Sequence, residues 1–119
     1  MPRILIVDDE PEMVRGLEDN LRFEGYQTLT AGNGADALAV AAREAPDLIV
    51  LDLMMPRVDG YGVLQHLNAK HPDKLACTII ASAVPETEIL KRFNLPVFRI
   101  HPKPFDMTKL IADIRECTR

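Results

Sequence analysis

The 119-residue chain has no long apolar run, which excludes one class of protein at the outset. Its longest apolar stretch is far shorter than the ~20 residues that a membrane-spanning helix needs. The N-terminus also lacks the order of basic and then apolar residues that is typical of a signal peptide. We therefore expect a cytoplasmic protein with no membrane association.

Basic residues are also in short supply. The 14 Lys and Arg residues are outnumbered by 18 Asp and Glu residues, and the formal net charge is -4 at pH 7. A domain that holds nucleic acid needs a basic surface to face the phosphates. We therefore expect no direct binding of nucleic acid by this domain.

Cysteine is the third scarce feature. The chain contains only Cys77 and Cys117, and their positions show neither a metal-ligand spacing nor a pairing pattern. Zinc sites and disulfide frameworks both need cysteines at characteristic spacings. The expected state is therefore two reduced thiols.

Apolar residues, in contrast, are abundant. They make up 47% of the chain, which is enough for a hydrophobic core and too much for a disordered protein. At this length a chain forms one domain. We expect a single domain that covers residues 1–119.

Apolar strands and amphipathic helices alternate along this domain. The run "ILIV" at 4–7 is unbroken and rich in β-branched residues, which indicates a strand covered on both faces. Pro11 suits the first turn of the helix that follows, and Gly25 ends it. The alternation occurs five times. The expected strands cover 4–7, 26–30, 47–52, 76–83 and 96–100. The expected helices cover 11–24, 34–45, 60–70, 85–93 and 106–117, and either Asn33 or Gly34 can open the second of them.

Local signals predict how two of the helices pack and begin. In the second helix the expected buried stripe is Leu38, Ala41, Ala42 and Ala45, whose small side chains favour close packing on a sheet. Asp59 precedes the third helix and is predicted to cap it. We therefore do not count Asp59 among the candidate metal ligands.

Alternating strands and helices with short connections predict a parallel sheet with helices on both faces. In such an open, doubly wound α/β sheet, ligands bind outside the carboxyl ends of the strands. Asp8 and Asp9 follow the first strand, Asp52 ends the third, Ser82 lies near the end of the fourth, and Lys103 follows the fifth. We expect these five side chains to converge on one edge.

Carboxylates gathered at one edge repel each other unless a cation neutralises them, although one of Asp8 and Asp9 can instead cap the first helix. Mg²⁺ suits this role because it prefers oxygen ligands and leaves positions open for phosphate oxygens. Lys103 and Ser82 would complete a pocket for a dianionic phosphoryl group. A carboxylate beside the metal can then be the nucleophile and form an aspartyl phosphate.

The chain resembles the receiver domains of two-component response regulators, which are CheY-like. The motifs that carry the resemblance are "VDDEP", "DLIVLDLMMPRVDGYGVL", "TIIASA" and "HPKPF", and together they span essentially the whole chain. The resemblance implies a flavodoxin-like (βα)₅ fold with a five-stranded parallel sheet in the order 2-1-3-4-5.

The resemblance also implies a role for each matching residue at the metal. Asp52 would be the phosphoacceptor and a metal ligand. Asp9 would bind Mg²⁺, or Mn²⁺ as a substitute, directly, and Asp8 would bind it largely through water. Met54 would contribute its backbone carbonyl.

A second group of residues would bind the phosphoryl group and report on it. Ser82 would be the hydroxyl that switches position, with Ala83 beside it, and Lys103 would be the cation that holds the phosphoryl oxygens. Pro104 would follow a cis peptide bond, a form that is favoured only before proline.

The chain departs from the family pattern three residues before Lys103. Receiver domains usually carry Tyr or Phe there, as a ring that moves inward on activation, whereas this chain has Ile100. Phe98 is expected on the same face of the strand as Ile100, two residues earlier. Pro102 cannot donate to a sheet ladder, so we expect the fifth strand to end there.

The implied function is a phosphorylation-controlled signalling switch. The domain would take a phosphoryl group from a histidine kinase or a histidine phosphotransfer protein and change its surface at the fourth helix and fifth strand. It would then act on a downstream protein or a fused output domain, or dimerise. It would not be an enzyme beyond this self-catalysed transfer and a slow autodephosphorylation.

Two other functions stay open. The first is a receiver-like scaffold that binds partners without phosphorylation. This alternative stays open because Ile100 replaces the usual aromatic residue. A Mg²⁺-dependent phosphohydrolase would need a general acid two residues after the nucleophile, where the chain has Met54.

Overall fold

A five-stranded parallel sheet forms the centre of the molecule, with its strands in the order β2-β1-β3-β4-β5. The coordinates are a computed structural model that describes residues 1–54, 59–94 and 96–119. The predicted fold class and strand order are confirmed. The strands are β1 (Arg3–Val7), β2 (Gln27–Ala31), β3 (Leu48–Leu51), β4 (Thr78–Ser82) and β5 (Arg99–Pro102), and the helices are α1 (Pro11–Phe23), α2 (Gly34–Glu44), α3 (Gly60–Lys70), α4 (Pro72–Leu75), α5 (Glu86–Arg92) and α6 (Met107–Thr118).

The central strands are buried on both faces because helices cover each side of the sheet. Along β1, Leu5 and Val7 pack with residues of α2, α3, α4 and α5, whereas Ile4 and Ile6 pack with residues of α1 and α6. This alternation follows from the two-residue period of a strand. It divides the core into two clusters, one on each face of the sheet.

Local sequence signals set the ends of the helices that lead to and from these strands. Pro11 occupies the first turn of α1, and the chain leaves that helix through Gly25 at a φ of 93°. Asp59 caps α3, as predicted, because its side chain accepts a hydrogen bond from the backbone N–H of Gly62 at 3.0 Å. Among the described residues, no helix is both long and apolar enough to cross a bilayer.

The predicted buried stripe of α2 is correct for Leu38 and Ala41, which pack against the core, and wrong for Ala42 and Ala45. The buried residues are Gly34 and Ala37, while Leu38 and Ala41 are half-buried and Ala42 is exposed. The helix therefore turns the 34, 37 and 41 positions towards the sheet, which is the spacing of one helical face. Ala45 does not belong to the stripe at all, because it is exposed and caps the helix in the left-handed region at a φ of 45°.

The fifth strand starts later than predicted. It pairs from Arg99 with Ile79 and ends at Pro102, which agrees with the expectation that proline stops it. Phe98 precedes the first paired residue, so strand alternation does not extend to it. As a result Phe98 packs on the α1 and α6 side and Ile100 packs on the opposite side, and the expectation that they share a face is wrong.

Candidate functional site

Acidic and basic side chains meet where the strands end. Asp8 follows β1 and Asp52 follows β3, and both carboxylates are buried. Ser82, also buried, is the last residue of β4, and Lys103 follows β5. Because all strands run in parallel, their carboxyl ends lie at one edge. The side chains of Asp8, Asp52 and Lys103 meet there, and Ser82 ends the neighbouring strand.

Lys103 contacts three carboxylates at this edge. Its Nζ atom donates to Asp8 Oδ2 at 2.7 Å, to Glu10 Oε1 at 2.9 Å and to Asp52 Oδ2 at 3.3 Å. These contacts join β5 to both central strands. A charge-assisted bond of this length is strong when the partners are shielded from water, as Asp8 and Asp52 are.

Three carboxylates at the edge lie close enough to share a cation. One oxygen each of Asp8, Glu10 and Asp52 falls within 4.8 Å of the others. A set made only of carboxylate oxygens fits a hard divalent cation such as Mg²⁺. The residues present therefore suit the group that the sequence predicts.

The other two expected metal ligands lie at the rim. Asp9 is exposed and is not part of this cluster. Met54 has an exposed side chain, and its backbone N–H donates to Asp52 Oδ1 at 3.3 Å. Asp9 directly follows the buried Asp8, and Met54 lies two residues after the buried Asp52. The backbone of both residues is therefore close to the strand ends.

Burial and pairing shift the pKa values of the two central groups. Burial raises the pKa of the Asp8 carboxyl above its ordinary value, against the opposing effect of the hydrogen bond from Lys103. Burial alone would lower the pKa of Lys103, but the hydrogen bonds to Asp8 and Glu10 and the charge of Asp52 raise it overall. Lys103 is therefore a fixed positive charge at neutral pH, while Asp8 holds its negative charge less readily than an exposed aspartate.

A glycine brings helix α3 against the strand that carries Asp52. A Cβ atom placed on Gly60 would lie 2.5 Å from the Asp52 carbonyl oxygen and 2.5 Å from Leu53 Cα, and both are backbone atoms. The Gly60 N–H also donates to the Leu53 carbonyl at 3.1 Å. The absence of a side chain at position 60 thus allows the start of α3 to lie directly against the backbone of Asp52 and Leu53.

Comparison with known proteins decides the family to which this arrangement belongs. A family model described as "Response regulator receiver domain" matches residues 4–115. The chain belongs to the response regulator receiver domain family. Its solved structural neighbours include the receiver domain of the Francisella response regulator 1452, with a TM-score of 0.90, 25% identity and coverage of 99% of this chain and 97% of that one.

Curated relatives of this receiver domain include proteins named as transcriptional regulators. The "Probable transcriptional regulator ycf27" of Porphyridium aerugineum is 38% identical over 117 residues, which are 98% of this chain and 48% of the relative. The "Transcriptional regulatory protein PrrA" of Mycobacterium bovis is 35% identical over 119 residues, 99% of this chain and 50% of the relative. The receiver domain therefore spans about half the length of these relatives.

The remaining predicted residues of the receiver domain lie on β4, β5 and the loops that follow. The Ser82 hydroxyl oxygen accepts a hydrogen bond from the backbone N–H of Val84 at 3.2 Å, and Ala83 between them is exposed. Ile100 is half-buried on the side of α5. The peptide bond between Lys103 and Pro104 is cis.

Glu10 is the site residue whose contact the sequence reasoning did not anticipate. It was visible only as the third acid in the run that begins at Asp8, and no role followed from its position. Its backbone N–H donates to Asp8 Oδ1 at 2.9 Å, which directs the chain so that the carboxylate reaches Lys103. Adjacency to Asp8 marks Glu10 as an acid near this edge, but it does not predict the contact with Lys103.

Proposed function

We propose that this receiver domain is a phosphorylation-controlled switch in which Asp52 accepts a phosphoryl group from a histidine kinase or a histidine phosphotransfer protein. The observation that carries the proposal is the position of Asp52, a buried carboxylate with Lys103 on one side and the Asp8 and Glu10 carboxylates close by. In the transfer, a carboxylate oxygen of Asp52 forms a bond to phosphorus as the bond from phosphorus to the donor histidine nitrogen breaks. Such transfers depend mainly on positioning and on charge neutralisation.

The metal proposed for the site is Mg²⁺, with Mn²⁺ as a substitute. Asp9, Asp52 and the Met54 backbone carbonyl would hold it directly, and Asp8 would hold it largely through water. When bound, the metal would neutralise charge on the transferred phosphoryl oxygens. The close approach of the Asp8, Glu10 and Asp52 carboxylate oxygens supports a cation at this edge, because their mutual repulsion favours one. Asp9 lies outside this cluster, and its role as a direct ligand rests on the family pattern alone.

Lys103 would move from its present partners to the phosphoryl group. A phosphoryl group on Asp52 adds negative charge at a place that Lys103 already reaches, so the lysine can exchange Asp8 and Glu10 for phosphoryl oxygens. Ser82, buried at the next strand end, would donate its hydroxyl to another oxygen. Both movements would pull on the chain that follows β4 and β5.

The proposed conformational change involves backbone rather than an aromatic ring. Isoleucine is stiff at χ1, so Ile100 has little to swing. The Ser82 oxygen holds the Val84 N–H, and the short helix α5 starts two residues later without a side-chain cap. We expect beryllofluoride, a phosphoryl mimic, to change amide hydrogen exchange across 83–94. Changes confined to β5 around Ile100 would contradict this.

The proposed partners and boundaries follow from the same function. Residues 1–119 would form one receiver domain that acts in the cytoplasm on a downstream protein or a fused output domain, either as a monomer or as a phosphorylation-dependent dimer. No direct contact with nucleic acid or with a membrane is proposed for it. The domain would catalyse only its own phosphorylation and a slow loss of the phosphoryl group.

The test is incubation with a small-molecule phosphodonor and Mg²⁺, followed by intact mass measurement. The wild-type chain is expected to gain one phosphoryl group, and Asp52→Asn is expected to gain none, since an amide cannot act as the nucleophile. Asp73→Asn, which changes an exposed aspartate of α4, is the matched control and should react like wild type. A full adduct on Asp52→Asn would contradict the assignment. Phosphodonor turnover without an adduct would favour a phosphohydrolase, and no reaction would favour a scaffold.

A further inference from the structure

Two thiols that are far apart in sequence touch at the end of the sheet opposite to Asp52. Cys77 lies directly before β4, and Cys117 lies in the last turn of α6. Their Sγ atoms are 3.2 Å apart, and both residues are free and half-buried. Thr78 and Ser82 bound β4, and a strand of this length spans about 13 Å at about 3.3 Å per residue, so the pair is separate from the phosphoryl site.

The backbone on both sides holds the two sulfur atoms in place. The Cys77 N–H donates to the Lys74 carbonyl at 3.1 Å, and the Cys77 carbonyl accepts from the Ile49 N–H at 3.1 Å, which ties it to β3. Cys117 packs against the core cluster formed with α1 and α6. The next residue, Thr118, donates its hydroxyl to the Ile114 carbonyl at 2.8 Å and so remains part of the helix. The encounter of the thiols is therefore a product of the fold and not of a loose chain end.

We propose that Cys77 and Cys117 are a reversible modification site, which a peroxide converts into an intramolecular disulfide. A disulfide has an S–S length of about 2.0 Å, so the sulfur atoms would need to approach by only about 1 Å. Neither family membership nor the proposed phosphorylation enters this inference, which depends on the thiols alone.

The reaction runs in two balanced steps. The Cys77 sulfur attacks one oxygen of hydrogen peroxide and the O–O bond breaks, so that Cys77 becomes a sulfenic acid. The other oxygen leaves as water after it takes up the thiol proton. The Cys117 sulfur then attacks the sulfenic sulfur, and a second water leaves as the S–S bond forms. Each sulfur atom loses one electron overall, and the peroxide takes up both.

The order of the two thiols follows from their contact. Burial, together with the hydrogen bond and charge of Cys77, raises the pKa of the Cys117 thiol to about 12. Cys117 therefore stays protonated at neutral pH, and its S–H donates to the Cys77 sulfur at 3.2 Å. Because Cys77 is the acceptor in this contact, the proposal assigns it to meet the oxidant and Cys117 to resolve the sulfenic acid.

The disulfide would close a loop that contains β4, α5, β5 and α6. It would hold the start of β4 to the end of α6 and so restrict the unfolded chain, which is the main way that disulfides stabilise proteins. Because the bond lies at the amino end of β4, the Asp52 site should keep its reactivity towards a phosphodonor.

The experiment exposes the whole chain to hydrogen peroxide, blocks remaining thiols, and maps peptides by mass without reduction. The expected result is a peptide pair joined through Cys77 and Cys117, the loss of both free thiols, recovery by dithiothreitol, and a melting temperature several degrees above that of the reduced chain. Cys77→Ser and Cys117→Ser, checked for folding by circular dichroism, should each lose the joined peptide. Two persisting thiols, cross-links only between molecules, or an unchanged melting temperature would overturn the proposal.

Discussion

Lysines at the two ends of the same parallel sheet meet partners of opposite kinds. At the amino end the partners are backbone groups: Lys74 Nζ donates to the Pro46 carbonyl at 3.0 Å, and the Lys74 carbonyl accepts from Thr78 Oγ1 at 2.9 Å. At the carboxyl end, Asp52 and Lys103 meet side chain to side chain. Contacts of the first kind are permanent parts of the fold, whereas those of the second kind can be exchanged for a ligand. The comparison is consistent with the proposal that phosphoryl transfer takes place at the carboxyl end.

We expect the largest difference between the two ends when the lysine of each, Lys103 or Lys74, is replaced and the loss in the free energy of unfolding is compared. Lys103→Met leaves Asp8 and Asp52 buried without their cation, so we expect a loss of about 3 kcal/mol in the free energy of unfolding without Mg²⁺. Lys74→Met breaks one hydrogen bond to a backbone carbonyl and should cost about 1 kcal/mol. Urea unfolding with a chelator present measures both variants, and adduct formation should be lost only in Lys103→Met.

The pKa of Lys103 sharpens that prediction. Because its folded pKa lies above its ordinary value of 10.5, its stabilising effect is fully present below that pH and is lost as the pH rises through the folded value. The gap between Lys103→Met and wild type should thus stay constant between about pH 7 and about pH 9. Equal losses in the two lysine variants would show that the ends do not differ in the way described here.

Metal binding should distinguish two neighbouring acids at the carboxyl end. We expect Asp8→Ala to weaken Mg²⁺ binding by about tenfold, the effect typical of a group that acts through bound water. Asp9→Ala should weaken it more, since Asp9 is proposed to bind directly. Titration calorimetry compares the variants, and Asp73→Ala at the amino end of the sheet serves as the control that should bind like wild type. Stronger loss in Asp8→Ala would reverse the proposed division of roles.

The smallest effect is expected at Glu10. Its side chain is 63% exposed, so its ion pair with Lys103 contributes about 0.5 kcal/mol. Glu10→Gln should free Lys103 for a phosphoryl group and raise the affinity for beryllofluoride about twofold. Fluoride-dependent thermal shift provides the measurement, with Glu12→Gln in the first turn of α1 as the matched exposed control. A weakened affinity would assign Glu10 to the ligand rather than to competition with it.

The sequence predicted those parts of the molecule that depend on the hydrophobic pattern along each strand and helix and on the parallel direction of the strands. The unbroken apolar runs before Asp8 and Asp52 revealed the central strands, and parallel pairing then placed the acids and Lys103 at one edge. The four-residue helix α4 escaped prediction because one turn carries no period. The start of β5 was misplaced because pairing with β4, rather than apolar composition, decides where a strand begins.

Contacts between distant exposed or half-buried side chains were beyond reach for a different reason. The approach of Glu10 to Lys103 depends on how two flexible side chains settle over a charged edge. The meeting of Cys77 with Cys117 depends jointly on the register of β4 and the rotation of α6 about its axis. Side-chain conformation, strand register and helix rotation produce no periodic pattern in a single sequence. These contacts can therefore be seen only in the assembled fold.

The close approach at Gly60 limits which sequences can evolve at this position. Glycine is a poor helix former, and alanine in its place normally stabilises a helix by about 1 kcal/mol. Gly16→Ala in α1 can provide this stabilisation, because an added Cβ would meet no atom within 4 Å. At Gly60 the same methyl group would collide with the backbone of Asp52 and Leu53. In a library of variants selected for folding, alanine should therefore become common at position 16, while every selected variant should keep glycine at position 60.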